Sequence, residues 1–159
     1  MATTLSSSTM TVRVVESIKL NGTEQGAINT KAFSSINEIS KRILTITTAE
    51  SVIATFSAAV ASAGHYVAAN VRYMRFTNKD DTNFITLTFR NQDNDEVAIK
   101  LDAGQSFMWA ADNNGGMVDV FNATQDADAA SDTALGDLTN IQADANTASC
   151  DLEMFIASV

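Results

Sequence analysis

Apolar and polar residues alternate strictly in two runs of the central stretch, residues 71–109. The apolar positions are Ile85, Leu87 and Phe89 in the first run, and Val97, Ile99 and Leu101 in the second. A period of two is typical of a strand with one face on a core and the other in water. Turn-forming Asn, Asp and Gly residues separate the runs. The pattern therefore predicts an antiparallel meander of about four strands across this stretch, with the six apolar side chains sharing one core.

Further strands are predicted on both sides of this stretch. They cover residues 12–16, 17–20, 27–33, 42–48, 52–56, 117–121 and 150–156. Asn21-Gly22 and Gly26 predict a hairpin between the second and third of these strands, with a loop longer than a two-residue turn. Ser35 and Glu38 have the spacing of a capping box, which predicts a helical turn over residues 35–39.

About eight or nine short strands, with no long 3.6-residue periodicity, predict an all-β fold. We expect an antiparallel β-sandwich of jelly-roll type. Residues 1–11, rich in Ser and Thr, are expected to be a flexible N-terminal arm, and residues 12–159 a single β-sandwich domain. Residues 123–149 are biased to Ala, Asp, Thr and Asn. This Asp/Ala-rich excursion is interpreted as a long loop, a short helix around residues 134–141, or a partly extended arm.

Three features bear on the compartment. Residues 51–71 contain no charged side chain, but their Ala, Ser, Thr and Asn content predicts a strand and a small-residue loop or short helix, not a membrane span. The first ten residues have neither the basic nor the apolar region of a secretory signal. A single cysteine permits no internal disulfide. We therefore expect folding in a reducing cytoplasm.

Charge is distributed unevenly along the chain, whose formal net charge is −9. All ten Lys and Arg residues lie between Arg13 and Lys100, whereas Leu101–Val159 holds ten acidic residues and no basic one. The acidic balance argues against nucleic-acid binding, which needs a basic surface to neutralise phosphates. The asymmetry has two interpretations: coincidence within one sandwich, or an acidic face that docks on a basic partner or on a neighbouring copy.

The residue types that carry chemistry are scarce, so we predict no catalytic, cofactor-binding or metal-binding residues and no enzymatic activity. His65 is the single histidine, and Cys150 opens an alternating apolar run, where a buried thiol is expected. Four aspartates match some positions of a calcium loop, namely Asp126, Asp128, Asp132 and Asp137. The frame lacks its glycine, because Ser131 occupies that position. A solvated acidic loop is the preferred interpretation, and bound calcium stays open.

Three sequence elements lie together in the central stretch: Thr77-Asn78, the Thr-rich run of residues 84–90, and Lys100-Leu101 followed by Gly104, Ser106 and Phe107. This arrangement resembles small structural proteins of tailed bacteriophages of the marine and cyanobacterial type. The resemblance implies a non-enzymatic virion protein, most simply a capsid cement or decoration protein, made in the host cytoplasm. We also expect a symmetric homo-oligomer, with a trimer favoured, because the chain has no active-site constellation, an N-terminal arm with few large apolar residues and an acidic C-terminal part. Its partners are then its own copies and other virion proteins such as the major capsid protein, with no direct nucleic-acid binding and no membrane.

Two alternatives stay open beside the capsid expectation. One is a tail component. The other is a carbohydrate-binding β-sandwich module on a fibre, which would need exposed aromatic rings for stacking on sugars. The candidates for such rings, besides the phenylalanines, are Tyr66, Tyr73 and Trp109.

Overall fold

The computed structural model describes residues 6–60, 62–111 and 138–159. These ranges contain thirteen β-strands and one single-turn 3-10 helix, Ala68–Asn70. The strands are β1 (Ser8–Val15), β2 (Lys19–Leu20), β3 (Thr23–Glu24), β4 (Ile28–Ile36), β5 (Glu38–Ile46), β6 (Ser51–Ser57), β7 (His65–Val67), β8 (Val71–Asn78), β9 (Ile85–Asn91), β10 (Glu96–Leu101), β11 (Ser106–Ala110), β12 (Leu138–Ala145) and β13 (Cys150–Ser158). The all-β prediction is confirmed.

Two antiparallel sheets form the body of the protein. One has the strand order β10-β9-β12-β6-β7, and the other has the order β11-β8-β13-β5. The pairs are nested along the chain: β5 with β13, β6 with β12, β8 with β11, and β9 with β10. Alternate pairs fall in opposite sheets, which is the connectivity of a jelly roll. Short β7 adds a parallel partner to the end of β6.

The four strands predicted in residues 71–109 are present, but they do not form a meander. β8 and β11 belong to the four-stranded sheet, and β9 and β10 belong to the five-stranded sheet. The turns after β8 and β10 therefore cross from one sheet to the other. Asn78 links these two turns through hydrogen bonds. Its buried side-chain amide donates to the carbonyl of Asn83, in the turn after β8, at 2.8 Å and to the carbonyl of Leu101, at the end of β10, at 3.1 Å. Alternation shows which residues face the core, but it does not show which sheet carries them.

The main core lies between the two sheets and contains the side chains that the alternation predicts. Ile85 and Leu87 are fully buried, and the Phe89 ring lies 5.6 Å from Phe107 and 6.5 Å from Phe76 between centroids. Leu101 is buried and Ile99 packs at the margin of the core. Val97 differs from the expectation, since it lies opposite Phe89 but is 44% exposed on edge strand β10.

Residues 138–145 are β12, a strand between β9 and β6, so neither a helix nor a loop interpretation is correct there. Leu138, Ile141, Ala143 and Ala145 are buried. A register shift between Ile141 and Gln142 breaks the period of two, and alanine supplies half of the buried face, so the strand has a weak sequence signal. The predicted strand at residues 117–121 and the excursion up to residue 137 lie outside the described residues.

The N-terminal part forms an antiparallel ribbon of β1 and β4. β1 begins at Ser8, so residues 8–11, expected in the arm, pair with β4. The helical turn predicted over residues 35–39 is wrong, because β4 continues to Ile36 and β5 starts at Glu38. Ile36, the last residue of β4, is buried. Asn37 donates its backbone amide to the Ser158 carbonyl at 3.0 Å. Tertiary pairing thus overrides the local capping signal.

The described part of the uncharged stretch, residues 51–71, contains β6, β7 and the 3-10 helix. β6 confirms the strand predicted over residues 52–56. Among the described residues, no helix is long and apolar enough to cross a membrane.

Candidate assembly surface

The β1–β4 ribbon is fastened to the outer face of the four-stranded sheet by a second, smaller core. Phe33 and Ile36 of β4 pack with Tyr73 of β8 and Ala157 of β13. The Tyr73 ring lies 6.1 Å from Phe33 and 6.0 Å from Phe155, the latter at an interplanar angle of 69°. Burial in this cluster raises the pKa of Tyr73, while Arg75 partly opposes the rise. The cluster fixes the base of the ribbon.

Beyond this base, the ribbon ends in a tight turn. β2 and β3 pair with Leu20 opposite Thr23, so Asn21-Gly22 is a two-residue turn. Both residues have positive φ, 50° and 79°, as a type I′ turn requires. The prediction of a hairpin at Asn21-Gly22 is confirmed, but the expectation of a longer loop is wrong.

Glu24 holds this turn in place against the end of the ribbon. Its carboxylate accepts the backbone amides of Ile18 at 3.2 Å and Gly26 at 3.0 Å. A Cβ at position 26 would lie 2.1 Å from the Glu16 carbonyl oxygen, so this close approach requires glycine. Glu16 in turn donates its amide to the Ala27 carbonyl at 2.9 Å. The end of the ribbon is therefore an ordered element.

The ordered end of the ribbon exposes four large aliphatic side chains, which we call the apolar tip. They are Val15 (59% exposed), Ile18 (51%), Leu20 (59%) and Ile28 (57%). Val15 and Ile28 are cross-strand neighbours. Single exposed aliphatic residues are ordinary, but several on one small element mark an interaction surface.

A groove lies between the ribbon and the outer face of β11, and we call it the β11 groove. Its volume is about 260 Å³. Its lining includes Val12, Val14, Phe33, Tyr73, Met108 and Trp109. Met108 and Val14 are 45% and 36% exposed, whereas Phe33, Tyr73 and Trp109 are buried. The lining also includes the polar residues Asn29, Thr30 and Lys31 of β4, but most of the exposed surface of the groove is apolar.

A second groove of about 380 Å³ lies between β5 and β6, on the open side of the sandwich. The histidine singled out in the sequence, His65, lines it together with Arg42, Ser51 and Thr55. A Cβ at Gly64 would lie 3.3 Å from Arg42 Nη1, so the arginine reaches across to the β7 side. His65 has neither a cysteine nor a carboxylate among these neighbours, so this groove brings together no acid–base pair.

The outer faces of the sheets carry two carboxyl groups with shifted pKa values. Glu153 pairs with Arg75, and with Lys41 at 3.5 Å, and the hydrogen bond from Arg75 lowers the pKa of Glu153. Asp144 has the opposite environment, because burial and the nearby Glu50 charge raise its pKa. These are two separate surface arrangements, an ion-paired carboxylate at Glu153 and two neighbouring carboxylates at Asp144 and Glu50.

Cys150 is buried at the start of β13, and its thiol donates to the Ala148 carbonyl at 3.4 Å. Burial raises the pKa of the thiol, and the Asp80 carboxylate adds to the rise. A thiol with a raised pKa and no solvent access is a poor nucleophile. This placement matches the expectation of a buried, unreactive thiol.

The calcium frame at Asp126, Asp128, Asp132 and Asp137 lies outside the described residues. Across residues 6–60, 62–111 and 138–159, no group of three or more His, Cys, Asp or Glu side chains could hold a metal ion. Six of the ten carboxylates of the C-terminal part also belong to residues 112–137. The acidic face suggested by the charge asymmetry therefore stays a prediction, because most of its carboxylates lie outside the described residues.

The three aromatic residues considered for sugar stacking are buried. Tyr66 and Tyr73 are buried at 4% and 7% exposure, and the Tyr66 hydroxyl donates to Ser40 Oγ at 2.9 Å. Trp109 is 8% exposed and contributes to the main core beside Phe89. None of these three rings is presented flat to solvent.

No family model matches this chain, and no curated protein matches it. Among solved structures, it is similar to a chain of the Bacillus endospore appendages, which form disulfide-linked pili. The two chains are 8% identical, with a TM-score of 0.44 over 100% of this chain and 96% of the other. A likeness at this level carries no argument about function.

Proposed function

We propose that this chain is a non-enzymatic structural protein that assembles with copies of itself. The observation that carries the proposal is the apolar tip, a small ordered element with four exposed aliphatic side chains. Full burial of one such side chain contributes roughly 1.5–3 kcal/mol relative to exposure. In the isolated chain these side chains stay in water, whereas their burial between copies would stabilise an assembly.

The order of the tip also supports an assembly role. The type I′ turn and the Glu24 carboxylate fix the backbone before any contact forms. A preorganised element loses little conformational entropy on binding, so more of the burial energy appears as affinity. A flexible loop with the same side chains would bind less tightly.

The place of assembly rests on the sequence resemblance to tailed-phage structural proteins. We infer a virion protein, first of all a capsid cement or decoration protein that works as a symmetric oligomer, with a trimer favoured. Its partners are then its own copies and the major capsid protein. A tail component is the alternative within the same class. The carbohydrate-binding alternative is weaker, because Tyr66, Tyr73 and Trp109 are buried.

Sedimentation velocity on the full chain tests the proposal. We expect the wild-type protein to form oligomers as concentration rises, and an Ile18→Glu/Leu20→Glu variant to remain a 16.9 kDa monomer. Val97→Glu is the matched control, since Val97 is 44% exposed on β10, away from the ribbon, and this variant should assemble normally. A wild-type protein that is monomeric at every concentration overturns the proposal.

A further inference from the structure

We propose that the apolar tip of one copy inserts into the β11 groove of a neighbouring copy. This inference rests on the proposed function and names the partner surface: a second copy of this chain, contacted through a different patch. Two independent observations carry it, namely an exposed aliphatic projection and an open apolar groove on the same molecule.

The tip cannot enter the groove of its own chain. Val14 lies opposite Asn29, both residues line the groove, and the next pair, Val15 and Ile28, already belongs to the tip. The ribbon would have to fold back on itself within one or two residues. Such a reversal would break the hydrogen bonds of the β1–β4 ladder and the Glu24 contacts that close its end. Only another molecule can therefore bring a tip to this groove.

The chemistry of the two surfaces matches. The tip offers aliphatic side chains, and the groove offers the partly exposed Met108 and Val14 beside the buried Phe33 and Tyr73. Met108 is unbranched and polarisable, so it adapts to an inserted side chain and makes favourable contacts with aromatic neighbours. Water leaves apolar area on both partners when they meet, which is the main driving force for association.

The second groove of the molecule makes a poorer match for this tip. Its lining includes Arg42, His65, Ser51 and Thr55. An aliphatic tip inserted there would desolvate a guanidinium and several hydroxyls without supplying hydrogen bonds, which is unfavourable. The chemistry therefore favours the β11 groove over this second groove. A third groove, lined by Met10, Ile36 and Ile39 together with polar residues near the start of β1, is a competing apolar site. The Met108→Glu variant described below leaves that groove intact and so distinguishes the two.

A tip-to-groove contact joins two different patches, so it is heterologous. Each contact uses the tip of one copy and the groove of the next, which leaves one tip and one groove free at the two ends of the chain. The contact therefore repeats head to tail and yields a closed ring or an open filament, depending on the rotation between neighbours. A closed ring of three such contacts corresponds to the trimer proposed above.

Two single variants, studied separately and then mixed, test this inference. Leu20→Glu places a carboxylate on the tip, and Met108→Glu places one in the groove. We expect each variant to self-associate at least about a hundredfold more weakly than the wild type, because an ionised carboxylate loses its hydration in the contact. An equimolar mixture should form a 1:1 dimer and nothing larger, since one intact tip and one intact groove remain. Sedimentation velocity distinguishes monomer, dimer and higher oligomers.

Val97→Glu again provides the control, and circular dichroism verifies that every variant is folded. If the wild type assembles but either single variant assembles equally well, the contact is overturned and the proposed function stands. If both variants are monomeric and their mixture stays monomeric, the heterologous geometry is wrong. If the wild type itself never assembles, the proposed function has failed as well.

Discussion

Phe33 of β4 and Tyr73 of β8 place their ring centroids 6.1 Å apart, and this contact joins the ribbon to the sandwich. Tyr73 continues the contact to Phe155 on β13. The orientation of the apolar tip relative to the β11 groove therefore depends on a few aromatic side chains.

The first prediction concerns this anchor. Phe33→Ala should release the ribbon from the sheet, because a buried ring is replaced by a cavity or by solvent, at a cost of about 3–5 kcal/mol where burial is complete. We expect faster proteolytic cleavage between residues 15 and 28 while the jelly-roll core stays resistant. Unchanged cleavage would show that the cluster does not hold the ribbon.

The second prediction concerns the main core. Phe89 is 1% exposed and touches Phe76, Phe107 and Trp109. Phe89→Ala should lower the unfolding free energy by about 3–5 kcal/mol in urea titrations. Val97→Ala is the matched control, since Val97 lies directly opposite Phe89 but is 44% exposed, and its loss should stay below about 1 kcal/mol. Equal losses at both positions would contradict the description of β10 as an exposed edge.

The third prediction concerns Glu153. Its pKa is lowered by Arg75, so the ionised carboxylate stabilises the folded state at neutral pH. Glu153→Gln should be less stable than the wild type at pH 7. The difference should shrink as pH falls below the ordinary value of 4.5 and through the lowered pKa, where the wild-type carboxyl becomes protonated. Urea titrations of both proteins between pH 7 and 3 measure the difference, and a constant gap would contradict the assignment.

Asp144 gives the fourth prediction, with the opposite sign. Its pKa is raised by burial and by Glu50, so the ionised carboxylate destabilises the folded state at neutral pH. Asp144→Asn should raise the melting temperature at pH 7, and the gain should fade as pH falls through the raised pKa toward 3.8. The same substitution at Asp93, an exposed turn residue, should change little. A loss of stability at pH 7 in Asp144→Asn would contradict this account.

The fifth prediction separates two kinds of contact by their response to salt. Apolar tip-to-groove contacts should persist when salt rises from about 0.05 to 0.5 M, whereas a contact between carboxylates and a basic particle surface should weaken, since screening shortens the Debye length. Sedimentation measures the first contact, and cosedimentation with the virion proposed above measures the second. Self-association that disappears at high salt would indicate an electrostatic interface in place of the tip.

The alternation of apolar residues was enough to predict the all-β fold and the core positions of Ile85, Leu87 and Phe89. The sequence did not show which sheet each strand joins, because alternation indicates the face that a side chain occupies and not the partner of the strand. β8 and β9 follow each other along the chain but lie in opposite sheets. β12 was missed because its bulge and its alanines hide the buried face. The helical turn at residues 35–39 was predicted from a local capping pattern that long-range strand pairing overrides.

The candidate assembly surface was only partly visible in the sequence. Asn21-Gly22 correctly indicated a hairpin, since few residues other than Asn and Gly tolerate positive φ. The exposure of Ile18, Leu20 and Ile28 could not be foreseen, because apolar residues in a strand normally indicate a core-facing side. The β11 groove joins residues from β1, β4, β8 and β11, which come together only after folding.

Electron cryomicroscopy of the assembled protein, alone or on the virion proposed above, shows directly which surfaces join neighbouring copies. We expect the ribbon tip of every copy, from Val15 to Ile28, to be covered by a neighbouring copy at the subunit contact. Assemblies in which these tips project into solvent while other surfaces make the contacts would contradict it.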